Sequence, residues 1–413
     1  MTTRNNMLRS YLFSTVLIIS IVLGGVVGYF FEQVRLLKPL GDIFLNLLLT
    51  AIVPLIFFSI SSAIAKAGSL GRLGKIMSRM IFIFLLTGLI AALYALFVVK
   101  LFPLVNNFPI ELTSPENATT LGFSDQLVKV FTVSNFSQLF SHEHISALIV
   151  FSILVGLALV SAKENGETFV KFLQEGEDLF MRVISLIMYF APIGFFSYFA
   201  VLVNELGPKL VESYIRIAVI YYAASLVYFV VVFSIYAYLA GQLAGVKLFW
   251  KNLFLPATTA LATCSSAASI PANLLATKNM GVSSEICETV IPLGSIIHKD
   301  GSVMGGIFKI AFLFGVFHSN FSGLDVLCVA IAVSLLVGTV MGAIPSGGMI
   351  GELLILAVYG FPSSVLLAVA AISVIIDPIA TMLNVTGNTA SSMLITRLVD
   401  GKTWLLKIKE IKA

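Results

Sequence analysis

Charge is what this sequence has least of. Only 11% of its 413 residues are Asp, Glu, Lys or Arg, against roughly 25% in a soluble globular domain. With 58% hydrophobic residues, no soluble exterior could be covered, so the bilayer is the natural solvent. Cysteine is scarce too. Cys264, Cys287 and Cys328 sit in apolar contexts without paired spacing, which argues against a disulfide framework or a zinc site. His142, His144, His298 and His318 are scattered, and only His298 is central to an apolar segment. No Gly-rich loop followed by Lys-Ser/Thr is present to hold phosphate, and no nucleophile sits with a base. The expectation is therefore not an enzyme, with no organic cofactor and no nucleic-acid partner. Neither a soluble domain nor a low-complexity linker interrupts the chain.

What is present is a series of apolar runs of about 20 residues, the length that spans a bilayer core. They fall near 11–31, 41–64, 78–102, 143–162, 178–204 and 215–241. The first is longer than the roughly 7–15 apolar residues of a signal peptide, and more spans follow it, so it reads as a span. Arg4 and Arg9, the Lys66–Arg79 connector and Lys402–Lys412 carry positive charge, whereas 103–143 is rather acidic. The positive-inside rule then places both termini in the cytoplasm, in a multi-pass protein of the cytoplasmic membrane.

From Lys247 onward the pattern changes: Gly, Pro, Ser, Thr and Asn interrupt the apolar runs. Irregular backbone at bilayer depth leaves N–H and C=O groups that only protein, water or a ligand can satisfy. Broken helices of this kind mark the solute and ion sites of secondary transporters. Two segments share one design, an apolar arm of about 10–15 residues, a small-residue tip with proline, and a second arm. They are 249–278, with tip Cys264–Pro271, and 323–362, with tip Ile344–Met349. Each arm is too short to cross a roughly 30 Å core, so both read as re-entrant hairpins.

Three polar clusters lie in this half. Ser265 and Ser266 at the first tip can offer hydroxyls and freed N–H groups to a carboxylate, or can serve as small packing contacts. The run Gly294–Ser302 holds His298, Lys299 and Asp300 within an apolar stretch, and each unpaired charge there costs about 2.5–3.5 kcal/mol. Its terminal glycines allow the helix to unwind and aim carbonyls at a cation. In the last span Asp377, Thr381, Asn384 and Asn388 are spaced 4, 3 and 4 apart and share one helical face. A carboxylate and an amide one or two turns apart suit the ammonium and carboxylate of an amino acid.

The order of Ser-rich hairpin, Ile291-Pro292-Leu293-Gly294, Asp300-Gly301-Ser302, Pro345-Ser346-Gly347-Gly348 and Asn384-Val385-Thr386-Gly387 resembles the dicarboxylate/amino acid:cation symporter family, the glutamate transporter homologues. The resemblance covers essentially the whole chain. It implies an all-α polytopic fold of eight transmembrane helices plus two re-entrant hairpins, and a homotrimer working as an elevator. Segments 41–64 and 143–204 would form the scaffold, and 78–102 and 215–400 the moving transport domain. On this resemblance Asp377 receives the solute amino group, Asn384 lies near its α-carboxylate, and Thr381, Ser265, Ser266, Gly347 and Gly348 adjoin the solute. Asp300 matches a cation-site aspartate and Thr87 a hydroxyl lining the same site, with Gly294, Asn384 and Asn388 around it.

The departures carry as much information. Ala380 stands where carriers of acidic amino acids have an arginine, and a second solute carboxylate would be desolvated without a guanidinium partner. A small, neutral amino acid is thus the expected solute, with a C4-dicarboxylate or acidic amino acid held by another cation such as Lys299 as the alternative. Asn388 replaces an aspartate that binds sodium in relatives, and His298-Lys299 replaces Asn-Met. A fixed positive charge beside Asp300 opposes bound Na⁺. Proton coupling is therefore expected over sodium, with uncoupled movement third. Glu352 and Glu288 are unusual for the family, and Lys299 could pair with either, structurally or as a proton carrier. A gated channel is the competing class, but the polar residues sit between two closed tips rather than along a through-path.

Overall fold

The computed structural model describes residues 16–17, 19–67, 71–105, 132–141, 144–162, 166–206, 209–340, 347–401 and 404–405. Every element among them is helical. In chain order come α1 (Ile19–Phe30), a 3₁₀ turn (Glu32–Leu37), α2 (Lys38–Ala67), α3 (Gly71–Leu101), the short α4 (Phe136–Leu139), α5 (Ile145–Ala162), α6 (Glu167–Met188) and α7 (Ala191–Leu206). Then follow α8 (Lys209–Val227), a widened turn (Tyr228–Val232), α9 (Phe233–Asn252), α10 (Phe254–Thr263), α11 (Ile270–Asn279), α12 (Ser284–Ile297) and α13 (Asp300–Val316). The chain ends with α14 (Leu324–Val340), α15 (Gly347–Tyr359), a 3₁₀ turn (Ser363–Val365) and α16 (Leu366–Asp400).

Among the described residues four stretches are long and apolar enough to cross a bilayer: Gln33–Ser62, Ile76–Leu101, Val211–Asn252 and Ser363–Asp400. Their outward faces carry bare apolar side chains, such as Phe82, Leu93 and Phe97 on α3 and Ile215, Val219 and Leu226 on α8. Water would penalise that surface and lipid does not. The expected span 178–204 is two helices. It begins earlier, at Glu167, and bends by 58° between α6 and α7. Pro192, at the second position of α7, explains the break, because proline disfavours helical backbone in the residue before it and cannot continue the ladder.

The expected span 215–241 is longer than read, running from Lys209 to Asn252. Its kink lies at Gly241–Gln242, where Gln242 adopts a left-handed φ of 53°. Carbonyls released there are claimed by the C-terminal segment. Trp404 Nε1 donates to Ala240 O at 2.9 Å, and the Arg397 guanidinium donates to Leu239 O. Because α9 continues to Asn252, the helix expected as the leading arm of a first hairpin begins at Phe254 rather than at 249. In the segment expected to form a second hairpin, α14 has 17 residues, longer than expected, and α15 has 13.

Helices pack in two groups. The first surrounds α2, which lies against α5, α6 and α7. The second surrounds α13 and α16, which contact each other and are ringed by α3, α8–α12, α14 and α15. Every residue of α13 is buried except Ala311 and Gly315, so this helix lies at the centre of the second group. Small residues allow such close approach between helices in a bilayer. A Cβ built on Gly301 would lie 2.3 Å from Ala380 O, so only glycine fits between α13 and α16 there.

Candidate functional site

The chain unwinds for two residues between α12 and α13. His298 (φ −125°, ψ 112°) and Lys299 (φ −147°, ψ 77°) are extended, and α13 restarts at Asp300. The break thus falls at the charged pair rather than at the flanking glycines. Gly294 sits inside α12, where a Cβ would come within 2.4 Å of Asn388 Oδ1. A helix restarting in the interior exposes N–H groups that need acceptors. One is supplied from α16: Ser302 N donates to Asn384 Oδ1 at 3.1 Å, and Asn384 Nδ2 donates to Ser302 Oγ at 3.1 Å. Asn384 therefore caps α13 in trans and keeps a single N–H for any solute.

His298 is 2% exposed and stacks on Phe84 of α3, with ring centroids 4.2 Å apart. Its Nδ1 lies 2.8 Å from Asn388 Oδ1 and its Nε2 lies 2.7 Å from Thr87 Oγ1. Asp300 Oδ1 is 3.1 Å from the same Nε2. That contact is by distance only, since neither oxygen of this wholly buried carboxylate receives an aligned hydrogen bond. Tyr228 and Tyr236, whose hydroxyls are 3.3 Å apart, lie within electrostatic reach of Asp300. A buried carboxylate with no aligned donor is costly unless a positive charge accompanies it.

The hydroxyl of Thr87 decides what the ring can hold. Its one hydrogen can go to the Ile83 carbonyl at 3.0 Å or to His298 Nε2. In the second case the imidazole is neutral. In the first, Nε2 itself carries a proton, which it shares with Thr87 and Asp300 while Nδ1–H donates to Asn388. These two arrangements need no movement of heavy atoms. The Thr87 hydroxyl and the Asn388 carbonyl are directed at the imidazole, and one Asp300 oxygen lies 3.1 Å from it.

On the other side of the break lies Asp377. Ile376, Ile379 and Ala380 around it on α16 are buried, while its own side chain is exposed. Thr381, one turn on, donates to its Oδ1 at 3.2 Å. Pro378 removes one ladder donor beside it, and the Tyr222 hydroxyl donates to Ile375 O at 3.1 Å. The ammonium groups of Lys299 and Lys309 and the carboxylate of Glu352 are all near enough to act on Asp377 electrostatically. Cys264 and Tyr222 are within the same reach, which brings the first hairpin's tip to this carboxylate.

The tip serines are engaged locally. Cys264 takes a left-handed φ of 48°, Ser265 N donates to Thr263 Oγ1 at 3.3 Å, and Ser265 Oγ accepts from Ala268 N at 3.2 Å. Ser266 is buried. Asn273 of α11, missed in the sequence reading, fastens the hairpin by donating to Val385 O at 2.9 Å and accepting from the Thr389 hydroxyl. Gly347 and Gly348 open α15, while Ile344, Pro345 and Ser346 lie outside the described residues.

The ion pairs differ from expectation. Glu352 is bound by Lys309, not Lys299, at 3.0 Å, and Glu288 by Lys278 at 2.7 Å on the exterior. Helical register explains the exchange. Lys309 lies in the body of α13 opposite α15, whereas Lys299 sits at the break beside Asp377. Lys309 was legible as the single charge in the apolar run Val303–Val316. Its partner was not, because the facing helix is distant in sequence.

A model of the sodium:dicarboxylate symporter family matches residues 13–398. The chain belongs to that family. This symporter is 28% identical over 400 residues to a proton/sodium-glutamate symport protein of Bacillus caldotenax, covering 92% of each chain. It is 24% identical over 404 residues to a protein of the same description in Bacillus subtilis, covering 93% of this chain and 92% of that one. A C4-dicarboxylate transport protein of Bacillus subtilis is 26% identical over 316 residues, 74% of each. The symporter is thus a membrane transporter of a cation-coupled family and not an enzyme.

Proposed function

We propose that this symporter moves a small, neutral amino acid together with a proton. The observation that carries the coupling is the seat of His298. Its imidazole lies within 2.7 Å of Thr87 Oγ1 and 3.1 Å of Asp300 Oδ1, so that a proton on Nε2 supplies the charge the buried carboxylate needs. The Thr87 hydroxyl turns toward Ile83 when the proton arrives and back when it leaves. For the solute, the exposed Asp377 receives the ammonium, and the remaining N–H of Asn384 and the first hairpin's tip face the carboxylate. Ala380 is buried and apolar, so the position where an arginine would clamp a second carboxylate offers none.

A second reading is favoured by Lys299, whose ammonium acts on Asp377. A lysine there could hold the extra carboxylate of an acidic amino acid or C4-dicarboxylate, solutes that the names of the relatives contain. The separate packing of α2 with α5–α7 supports their reading as a scaffold against which α3 and α8–α16 move as an elevator, and on the same reading the scaffold joins three protomers. The deciding experiment uses purified protein in liposomes, labelled amino acids and dicarboxylates, and separately imposed Na⁺ and H⁺ gradients. Uptake of neutral amino acids driven by an inward proton gradient is expected. Glutamate uptake that requires Na⁺ would overturn both the solute and the coupling.

A further inference from the structure

Lys309 and Glu352 form a buried charge pair that the transport cycle described above does not use. Lys309 is 2% exposed and Glu352 is fully buried, on α13 and α15 respectively. Their charged atoms are 3.0 Å apart, and the Ser373 hydroxyl donates to the same Glu352 oxygen. The second oxygen of Glu352 has no hydrogen-bond partner. Ser373 lies four residues before Asp377 on α16, so the two share a face one turn apart. Glu352 is therefore anchored about one helical turn from the Asp377 carboxylate. Lys309 and Glu352 both act on Asp377 electrostatically, as does Lys299. The four groups sum to zero: two carboxylates and two ammoniums.

A buried pair of this kind is a poor source of stability, since desolvation consumes most of its Coulomb energy. Each of its charges nevertheless reaches Asp377, with opposite sign. We propose that Lys309 and Glu352 together hold the net charge presented at Asp377 in balance, so that losing either one alone shifts the choice between zwitterions and solutes bearing an extra carboxylate. The proposal rests on the reading of Asp377 as the acceptor of the solute ammonium. Removing Glu352 alone leaves the cluster at +1 and favours an added carboxylate. Removing Lys309 alone leaves it at −1 and opposes one. A unit charge about a helical turn away, in the interior, shifts the affinity of a second charge by about 10–100-fold.

The test compares L-alanine with L-aspartate, which is alanine carrying one more carboxylate. Half-saturation of thermal stabilisation is measured for purified wild type, Glu352→Gln, Lys309→Met, the double variant and Asp377→Asn. The aspartate-to-alanine affinity ratio is expected to rise at least about 10-fold in Glu352→Gln and to fall at least about 10-fold in Lys309→Met. In the double variant, again neutral, it returns to within about 3-fold of wild type. A pair without electrostatic reach to the solute would not produce opposite shifts that cancel. If a single variant fails to fold, Ser373→Asp in the double-variant background restores one negative charge at the same place and should lower the ratio.

Ratios that move less than about 2-fold in both single variants, or in the Ser373→Asp background, overturn the charge-setting role while leaving Asp377 intact, provided Asp377→Asn loses alanine. Alanine affinity unchanged in Asp377→Asn overturns the amino-group reading and this proposal with it. A wild type stabilised by neither solute overturns both.

Discussion

Replacing His298 with Gln keeps a polar side chain at the Thr87–Asp300 seat but removes the imidazole to which the proposed coupling assigns the proton. At 3.1 Å from Asp300 Oδ1, an imidazolium gains about 5 kcal/mol at an effective dielectric of about 20. Burying the two charges costs several kcal/mol per ion. The net hold is therefore a small difference between large terms. One imidazole carries one proton, and one pH unit is worth about 1.4 kcal/mol, or tenfold in an equilibrium. In liposomes with the membrane potential clamped at zero, wild-type protein should therefore accumulate solute about tenfold per unit of inward-directed acidity. In His298→Gln that driven accumulation should fall to about onefold, while exchange of internal for external solute, which needs no net proton movement, continues. Undiminished tenfold accumulation in the variant would refute the reasoning. So would wild-type accumulation driven by Na⁺ alone at fixed pH.

Asp377→Asn should abolish stabilisation by amine-bearing solutes in a thermal-shift titration, a loss of at least about 100-fold in affinity for a charge-assisted contact. Ala380→Arg should raise the affinity for acidic solutes by about 10-fold or more, read by competition, and no change would argue against the alignment of α16. Gly301→Ala should lower stability by about 1–3 kcal/mol, seen as a reduced unfolding midpoint, because the new methyl meets the Ala380 carbonyl. Asp300→Asn in the His298→Gln background should recover stability relative to His298→Gln alone, since the single variant leaves a buried carboxylate uncompensated, at about 3–5 kcal/mol. A double-mutant cycle on unfolding midpoints checks this coupling.

Much of the architecture was legible because bilayer chemistry is strict. Apolar runs of sufficient length must be helices, since each N–H and C=O must bond within its own segment. Interruptions such as Cys264–Pro271 and His298–Asp300 stand out against that rule. The spacing of Asp377, Thr381, Asn384 and Asn388 likewise fixes a shared face from helical geometry alone. Where the reading slipped, local rules competed. Pro192 split an apolar run that composition alone joined, and α9 continued through a kink whose carbonyls are satisfied from Arg397 and Trp404, residues more than a hundred positions away.

Side-chain partnerships followed a different logic. His298, Lys299 and Asp300 are adjacent in sequence, yet an extended two-residue break sends them to different neighbours: His298 to Thr87 and Asn388, Lys299 toward Asp377. Whether Glu352 meets Lys299 or Lys309 depends on how α15 lies against α13. The sequence by itself determined which elements form and which positions must be polar, because those follow from periodicity and the cost of unsatisfied groups in lipid. Only the tertiary structure decided which charge answers which, because Coulomb energy falls with distance in space and takes no account of distance along the chain.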